Sequence, residues 1–504
     1  MSMKCDINRA ENHLVKATLI VNGAEIKDVP CKIYLPERTH EKPHLVFKPT
    51  KDDGVRVMGA HKGVFKAVFH GFGKEIQTAF EAPEVYFSGG STKHWGDDIS
   101  ETTVHGEPQN LLVVHPFRGG EEAHSTHLVF WLSPNKFLTP CSMRSTSYTG
   151  KVDYECVRTI KFTIKELGNI DFQKHFRSKS TTNGDLLQWS YLVGCAEMDV
   201  PASDAKFIQD NLLEDIDDFL LIAGFAARQR TACLGWTATD NSAHVTYYRG
   251  NYSFPDGKNS DLNDCVVDIQ DFEQFIEVCY PSFLKYENKL ALRNALYSAV
   301  PSKANTIETT FLHTFAGLET LILDFRRTEN LELVMPPTEF TEFRKALQGF
   351  ISKSETPKLE PSQRASIYSK LGELNRVSLR EAFEFFCKSY AIDLSDLWPV
   401  FGNKDVVGLV EIRNKLIHGD PFPHEIYEAL FVANEHLKYI LERVLVRVLG
   451  WDVIKTKVTP AFLAMYCTAI RDLSRLQESL KEYLLSAPKV SARDTSVTKD
   501  CCPA

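Results

Sequence analysis

The stretch EIYEALFVANEHLKYILERVLVRVL, residues 425–449, sets Ile426, Leu430, Ala433, Leu437, Ile440, Val444 and Val448 three or four positions apart, the repeat of an amphipathic helix. Working outward, the same spacing recurs upstream. NTIETTFLHTFAGLETLILDFRR opens with Asn305 and carries Glu308 three residues later, and Ser378 stands three residues before Glu381 ahead of AFEFFCKSY. Both pairs have the form of a capping box, in which side chains satisfy the free amides of a helix start. An all-helical bundle is therefore expected over residues 269–450. A helical extension is expected over 451–486, with a helix near 459–485, and the polar tail 487–504 is expected to be disordered.

Before residue 269 the period changes. VKATLIVNGAEI alternates apolar with polar residues and is interrupted by Asn22-Gly23, a two-residue hairpin signal, and TIKFTIKEL alternates in the same way. Residues 1–165 are expected to form a β-rich antiparallel sandwich or barrel. Residues 166–268 continue that module with mixed structure. DAKFIQDNLLEDIDDFLLIAGFAARQR (204–230) has helical spacing, and HVTYYRGNYSF returns to strand. The acidic residues Asp210, Glu214, Asp215, Asp217 and Asp218 read as a solvated helix face rather than a metal site. The fold class expected is thus α+β, a β-rich amino-terminal module followed by an all-α bundle.

Composition narrows the function classes. A chain of 504 residues is too long for one core, and 43% hydrophobic with 25% charged residues excludes general disorder. The start MSMKCDINRAENHL lacks the apolar run of a signal peptide, and FLLIAGFAA is too short to span a bilayer, so a cytoplasmic location without membrane contact is expected. The twelve cysteines show no C-x-x-C spacing and are expected to be reduced and largely buried. The end CCPA has the outline of a prenylation box, but Pro503 is not the aliphatic residue that box favours. A net charge of −8 excludes a protein that is basic all over, so any nucleic-acid contact must be local.

One stretch carries chemistry. In KDVVGLVEIRNKLIHGDPF (404–422) a helix is expected from near Asp405 to Gly419, with Gly419 taking the left-handed turn and Pro421 blocking continuation. On a helical wheel Val406, Leu409, Val410, Leu416 and Ile417 form an apolar stripe with Arg413 inside it, while Glu411 and Lys415 fall opposite. A guanidinium in that position needs a carboxylate, an interface or a ligand. Asn414 and His418 are four apart and share a face, so the amide can orient the ring. Arg413 lies about 140° round the helix from His418, so two copies of the helix about a twofold axis are needed to bring arginine and histidine into one cleft.

A histidine there can take a proton from a ribose 2′-hydroxyl or give one to a leaving 5′-oxygen, and an arginine can stabilise the charge gathering on phosphorus, with no metal or other cofactor required. The other reading is that Arg413 pairs with a core carboxylate, Glu319 or Asp324, and His418 caps its own helix. The spacing alone does not decide, because Arg56 with His61 has it too and Arg118 with His124 nearly so. HSTH, with His124 and His127, reads as surface, and FHGFGKEI, which lacks the full phosphate-loop spacing, reads as a turn.

At RNKLIHG the sequence resembles the HEPN superfamily, whose ribonucleases carry an arginine, a polar residue that is often asparagine, and a histidine four to six positions on. FAGLETLILDF (315–325), LGELNRVSLREAFEFF (371–386) and VEIRNKLIHGD (410–420) are similar to ApeA-like HEPN proteins, over roughly residues 305–450. The resemblance implies a metal-independent endoribonuclease of abortive anti-phage defence, with Arg413, Asn414 and His418 catalytic, RNA as substrate, tRNA as one candidate target, a homodimer, and a phage-derived trigger. The β-rich module would sense infection or restrain the nuclease. Residues 304–450 hold 17 Lys and Arg against 21 Asp and Glu, so RNA contacts fall to a few local cations, of which Lys415, Lys438, Arg443 and Arg447 are the candidates. Two other functions remain open: a catalytically silent HEPN-type module that binds nucleotide, RNA or protein, and a ligand receptor acting through the β domain with the helices for dimerisation.

Overall fold

The computed structural model describes residues 12–21, 24–36, 42–50, 53, 69–73, 78–95, 99–117, 125–140, 142–146, 152–156, 159–180, 186–250, 264–300, 306–354, 356–419, 422–467 and 472–486. The chain divides into two compact units, one of residues 1–265 with 300–302 and one of 266–299 with 303–504.

The first unit is a sheet. Its strands are β1 (Asn12–Val21), β2 (Ala24–Tyr34), β3 (His44–Phe47), β4 (Phe69–Gly73), β5 (Ala79–Ala82), β6 (Val85–Trp95), β7 (Ile99–Pro108), β8 (Asn110–Pro116), β9 (Thr126–Leu132), β10 (Ser142–Thr146), β11 (Val152–Cys156), β12 (Ile160–Ile164), β13 (Gly168–Ser180), β14 (Leu186–Met198), β15 (Cys233–Thr239) and β16 (Ala243–Arg249). Fourteen of them join in one ladder, in the order 12-13-14-9-15-16-8-5-4-1-2-3-7-6, and β10 pairs with β11 apart from it. Every pairing among the described residues is antiparallel, and there the ladder runs from β12 to β6 without closing into a barrel. The alternation read at 159–167 is real, since Ile160, Phe162 and Ile164 are buried and the residues between them exposed. Val21 faces Ala24 across Asn22-Gly23, which themselves lie outside the described residues. Phe69–Gly73 corrects one expectation: it is a strand between β1 and β5 rather than a turn.

The expected helix at 204–230 forms, with an irregularity near its start. A short α turn, Ala205–Phe207, and a π segment, Ile208–Leu212, lead into α1 (Leu213–Ala226). Helix α1 is covered on nearly all sides, so the acidic cluster is not one solvated face. Asp210 and Glu214 are exposed, whereas Asp215 and Asp218 are each only 4% exposed. Lys165 reaches Asp215 at 3.4 Å, and Arg249 holds Asp217 with two bonds of 2.9 and 3.0 Å. On the apolar side Phe219 lies against Phe162 and Phe172, with centroids 5.3 and 5.5 Å away. Among the described residues no group of three or more His, Cys, Asp or Glu is placed to hold a metal ion.

The second unit is helical: α2 (Phe272–Lys285), α3 (Lys289–Ala299), α4 (Ile307–Thr328), α5 (Pro337–Ser352), α6 (Pro361–Lys370), α7 (Leu379–Ser389), α8 (Leu409–Ile417), α9 (Tyr427–Val448), α10 (Pro460–Tyr466) and α11 (Leu473–Ser486). Helix α4 is the hub and packs on α3, α7, α8 and α9. Its cap is Thr306, whose hydroxyl accepts from the Thr309 amide at 3.2 Å; Asn305 lies outside the described residues. The Ser378–Glu381 box at the start of α7 is formed in both directions. Along α9, Leu430, Ala433, Leu437, Ile440 and Val444 are buried as the wheel requires. The segment near 459–485 is two helices, α10 and α11, rather than one. No helix among the described residues is long and apolar enough to cross a membrane. Five described cysteines, Cys31, Cys195, Cys233, Cys265 and Cys279, are free and buried, and burial pushes the Cys233 thiol up to about 12.

Candidate active site

Helix α8 is shorter than the wheel reading and begins at Leu409, not near Asp405. The reason is a tight crossing before it. A Cβ on Gly408 would come 2.2 Å from the Gly402 nitrogen, so only glycine allows the two backbones to meet. The Glu411 carboxylate sits over that crossing and accepts from the Gly408 and Gly402 amides at 2.9 and 3.3 Å. The Leu409 and Val410 amides donate to the Pro399 and Val400 carbonyls at 3.0 and 2.9 Å, and Trp398 adds an indole bond to the Val407 carbonyl at 2.8 Å. The start of α8 is thus tied down by backbone bonds. Leu409 and Ile412 are its buried residues, while Ile417, expected in the apolar stripe, is 53% exposed.

Arg413 leans toward α4. Its Nη2 donates to Glu319 at 2.9 Å and 3.3 Å, a two-oxygen contact, and the guanidinium carbon stands 5.9 Å from the Phe315 ring centre. Of the two carboxylates named from sequence, Glu319 is therefore the partner. Asp324 is already engaged, accepting from the Tyr286 hydroxyl at 3.1 Å and the Asn288 amide at 2.6 Å. The pair is not sealed from water, with 30% of the Arg413 side chain and 24% of that of Glu319 exposed. Asn414 does not orient the histidine ring: its Oδ1 accepts from Arg413 Nη1 at 3.2 Å. His418 is exposed and closes the helix through its own amide, which donates to the Asn414 carbonyl at 3.2 Å. Gly419 then turns the chain at φ +77°, as the sequence required.

Arg413, Asn414 and His418 accordingly share the open end of one anchored helix. A cavity of about 300 Å³ lies toward the other end of α8, lined by Asn403, Lys404, Val406, Val407, Glu411, Lys481 and Leu484. It includes none of the three.

The four cations named as RNA contacts fare differently. Arg443 is 1% exposed and is consumed by Asp396, at 2.5 and 2.6 Å, and by the Val458 and Asp393 carbonyls. Burial removes it from any surface role. Arg447 is half-buried and donates to the Tyr390 carbonyl at 2.9 Å. Lys415 lies over the rings of Tyr483, at 4.9 Å, and Phe422, at 5.9 Å. Lys438 is half-buried. Arg56 with His61 and Arg118 with His124, which share or nearly share the spacing, lie outside the described residues, and His127 bonds Glu197 at 2.7 Å on the surface.

No family model, no curated protein and no solved structure matches this chain.

Proposed function

We propose that the chain is an endoribonuclease that cuts RNA at the open end of α8. The ribose 2′-oxygen attacks the adjacent phosphorus, the P–O5′ bond breaks, and the products are a 2′,3′-cyclic phosphate and a 5′-hydroxyl. His418 moves the proton, from the 2′-hydroxyl or to the leaving oxygen, and Arg413 neutralises the charge that builds on the phosphoryl oxygens. Neither role calls for a metal. The observation that carries this reading is the exposure of Asn414 and His418 beside a guanidinium that keeps 30% of its surface, all on a helix whose opposite end is fixed by the Gly402–Gly408 crossing. Chemistry of this kind depends on such fixed geometry.

The angle between Arg413 and His418 on α8 makes the working site a composite of two chains, each giving its arginine to the other's histidine. Glu319 holds Arg413 in place and partly neutralises it until phosphate competes for the guanidinium. By resemblance, the wider role is abortive anti-phage defence, with tRNA as one target and the β-rich unit as sensor or restraint.

The ion pair favours a second reading, in which Arg413 and Glu319 simply join α8 to α4 and the helical unit binds without cutting. Product ends separate the two. New 5′-hydroxyl ends opposite cyclic phosphates support cleavage by 2′-hydroxyl attack; 3′-hydroxyl ends, or no cuts that depend on His418, favour the silent module.

A further inference from the structure

Of the cations expected to meet RNA near α8, Arg443 is buried, Arg447 and Lys415 are engaged and Lys438 is half-buried, yet the helical unit has other, exposed cations. Between α4 and α7 the chain leaves the bundle as an excursion carrying α5 and α6. Its neck is strapped shut: the Val334 amide donates to the Asn375 carbonyl at 2.9 Å, the Val377 amide to the Glu332 carbonyl at 3.2 Å, and the Asn375 side chain bridges the Met335 amide and carbonyl at 2.9 and 3.0 Å. Beyond the neck little is buried. Helix α5 buries Phe340 alone and α6 nothing, the two being joined by the Tyr368 hydroxyl donating to the Gln348 carbonyl at 3.1 Å.

Two properties of this excursion set it apart. Between Met335 and Asn375 the excursion holds six Lys and Arg against five carboxylates, whereas the rest of 304–450 holds 11 against 16, so it escapes the negative balance of its unit. Those six, Arg344, Lys345, Lys353, Lys358, Arg364 and Lys370, enter no ion pair with Asp or Glu among the described residues, unlike Arg413 and Arg443. Phe343 and Phe350, seven apart on one face of α5, are 45% and 75% exposed, and stand two turns or about 10 Å apart. Arg344 and Lys353 flank that face on either side, and Glu339, one turn before Phe343, is the carboxylate that shares it. Unpaired cations around open aromatic rings are the chemistry that holds a flexible single strand, phosphates on the cations and bases on the rings.

We propose that the α5–α6 excursion is an RNA-docking surface that grips a single-stranded segment, with Phe343 and Phe350 as stacking platforms. This deepens the reading of α8 as an RNA-cutting site and rests on it for the choice of RNA. The test reads binding rather than cutting, on the full chain carrying His418→Ala, with a fluorescently labelled unstructured RNA oligonucleotide and anisotropy measured across a salt series. Arg344→Gln, Lys353→Gln and Lys358→Gln together should weaken binding at least tenfold and make the salt dependence shallower by about 2, since each phosphate neutralised on a single strand contributes about 0.7 to the slope. Phe343→Ser with Phe350→Ser should weaken it at least fivefold and leave that slope unchanged.

The substituted cations and the two phenylalanines are already open to solvent, so both sets should fold; circular dichroism and melting check this. Failure of the parent chain to bind, or unchanged affinity and slope in the folded variants, overturns the proposal. Should His418→Ala leave cleavage intact while these variants no longer bind, the catalytic reading falls and the docking surface stands.

Discussion

Arg443 and Arg413 both interrupt apolar runs on helices of the same unit, and their fates differ. Arg443, in the last third of α9, is 1% exposed and satisfied by a carboxylate and two carbonyls. Arg413, at the middle of α8, has one carboxylate, a neighbouring amide and 30% of its side chain in solvent. An arginine in an apolar stripe therefore says only that a partner exists. What separates structure from chemistry is how much of the guanidinium its partners use up, since five N–H donors can be fully or partly occupied. Arg443 is spent; Arg413 has capacity left for phosphate.

This contrast breaks if the two arginines respond alike. The largest effect is expected from Arg443→Ala, which strands the Asp396 carboxylate and should cost the helical unit about 3–5 kcal/mol in urea unfolding. Arg413→Ala should lower RNA cleavage by about 100-fold or more while costing no more than about 1 kcal/mol of stability, because its pair is open to water. A stability loss as large as that of Arg443→Ala, with cleavage unaffected, would make the two residues equivalent. Glu319→Gln sharpens the point: it keeps an acceptor for Arg413 but removes the charge, so stability should fall by less than about 1 kcal/mol and cleavage by less than tenfold.

The smallest effect lies in the β-rich unit and is a pH dependence. Burial depresses the basicity of His44, His175 and His244, with the charge of His105 adding to the effect at His44 and that of His127 at His175. An unfolded histidine takes up a proton below about pH 6.5, which these folded ones resist. Their contribution is thus complete above that pH and shrinks as pH falls through the lower folded values. The thermal transition of the sheet should move down between pH 7 and pH 5, and His244→Gln should reduce that movement. A transition that rose on acidification would contradict the assignment.

Much of the molecule is legible in its sequence because it depends on local period. The strand at 160–164, the apolar face of α9, the Ser378–Glu381 box and the turn at Gly419 all follow from neighbours a few residues apart. Sequence and structure part where distant or irregular features decide. Asp215 and Asp218 are buried because α1 is covered on nearly all sides, in part by distant residues such as Lys165, and a wheel drawn from the helix alone cannot foresee that. Arg443 finds Asp396 across 47 residues of chain, so its burial has no local signature. Helix α8 starts late because Gly402 and Gly408 touch, a contact that spacing alone does not encode. At the site, the choice of Glu319 over Asp324 is beyond the sequence, since it depends on Tyr286 and Asn288 having claimed Asp324.

The most direct test of the central claim, that the open end of α8 cuts RNA, is to incubate the purified chain and its His418→Ala variant with total cellular RNA in EDTA, with and without extract from phage-infected cells, and map new ends. The account predicts cuts bearing cyclic phosphates that the variant does not make. Cuts made equally by both chains, or none by either in the presence of the extract, would contradict it.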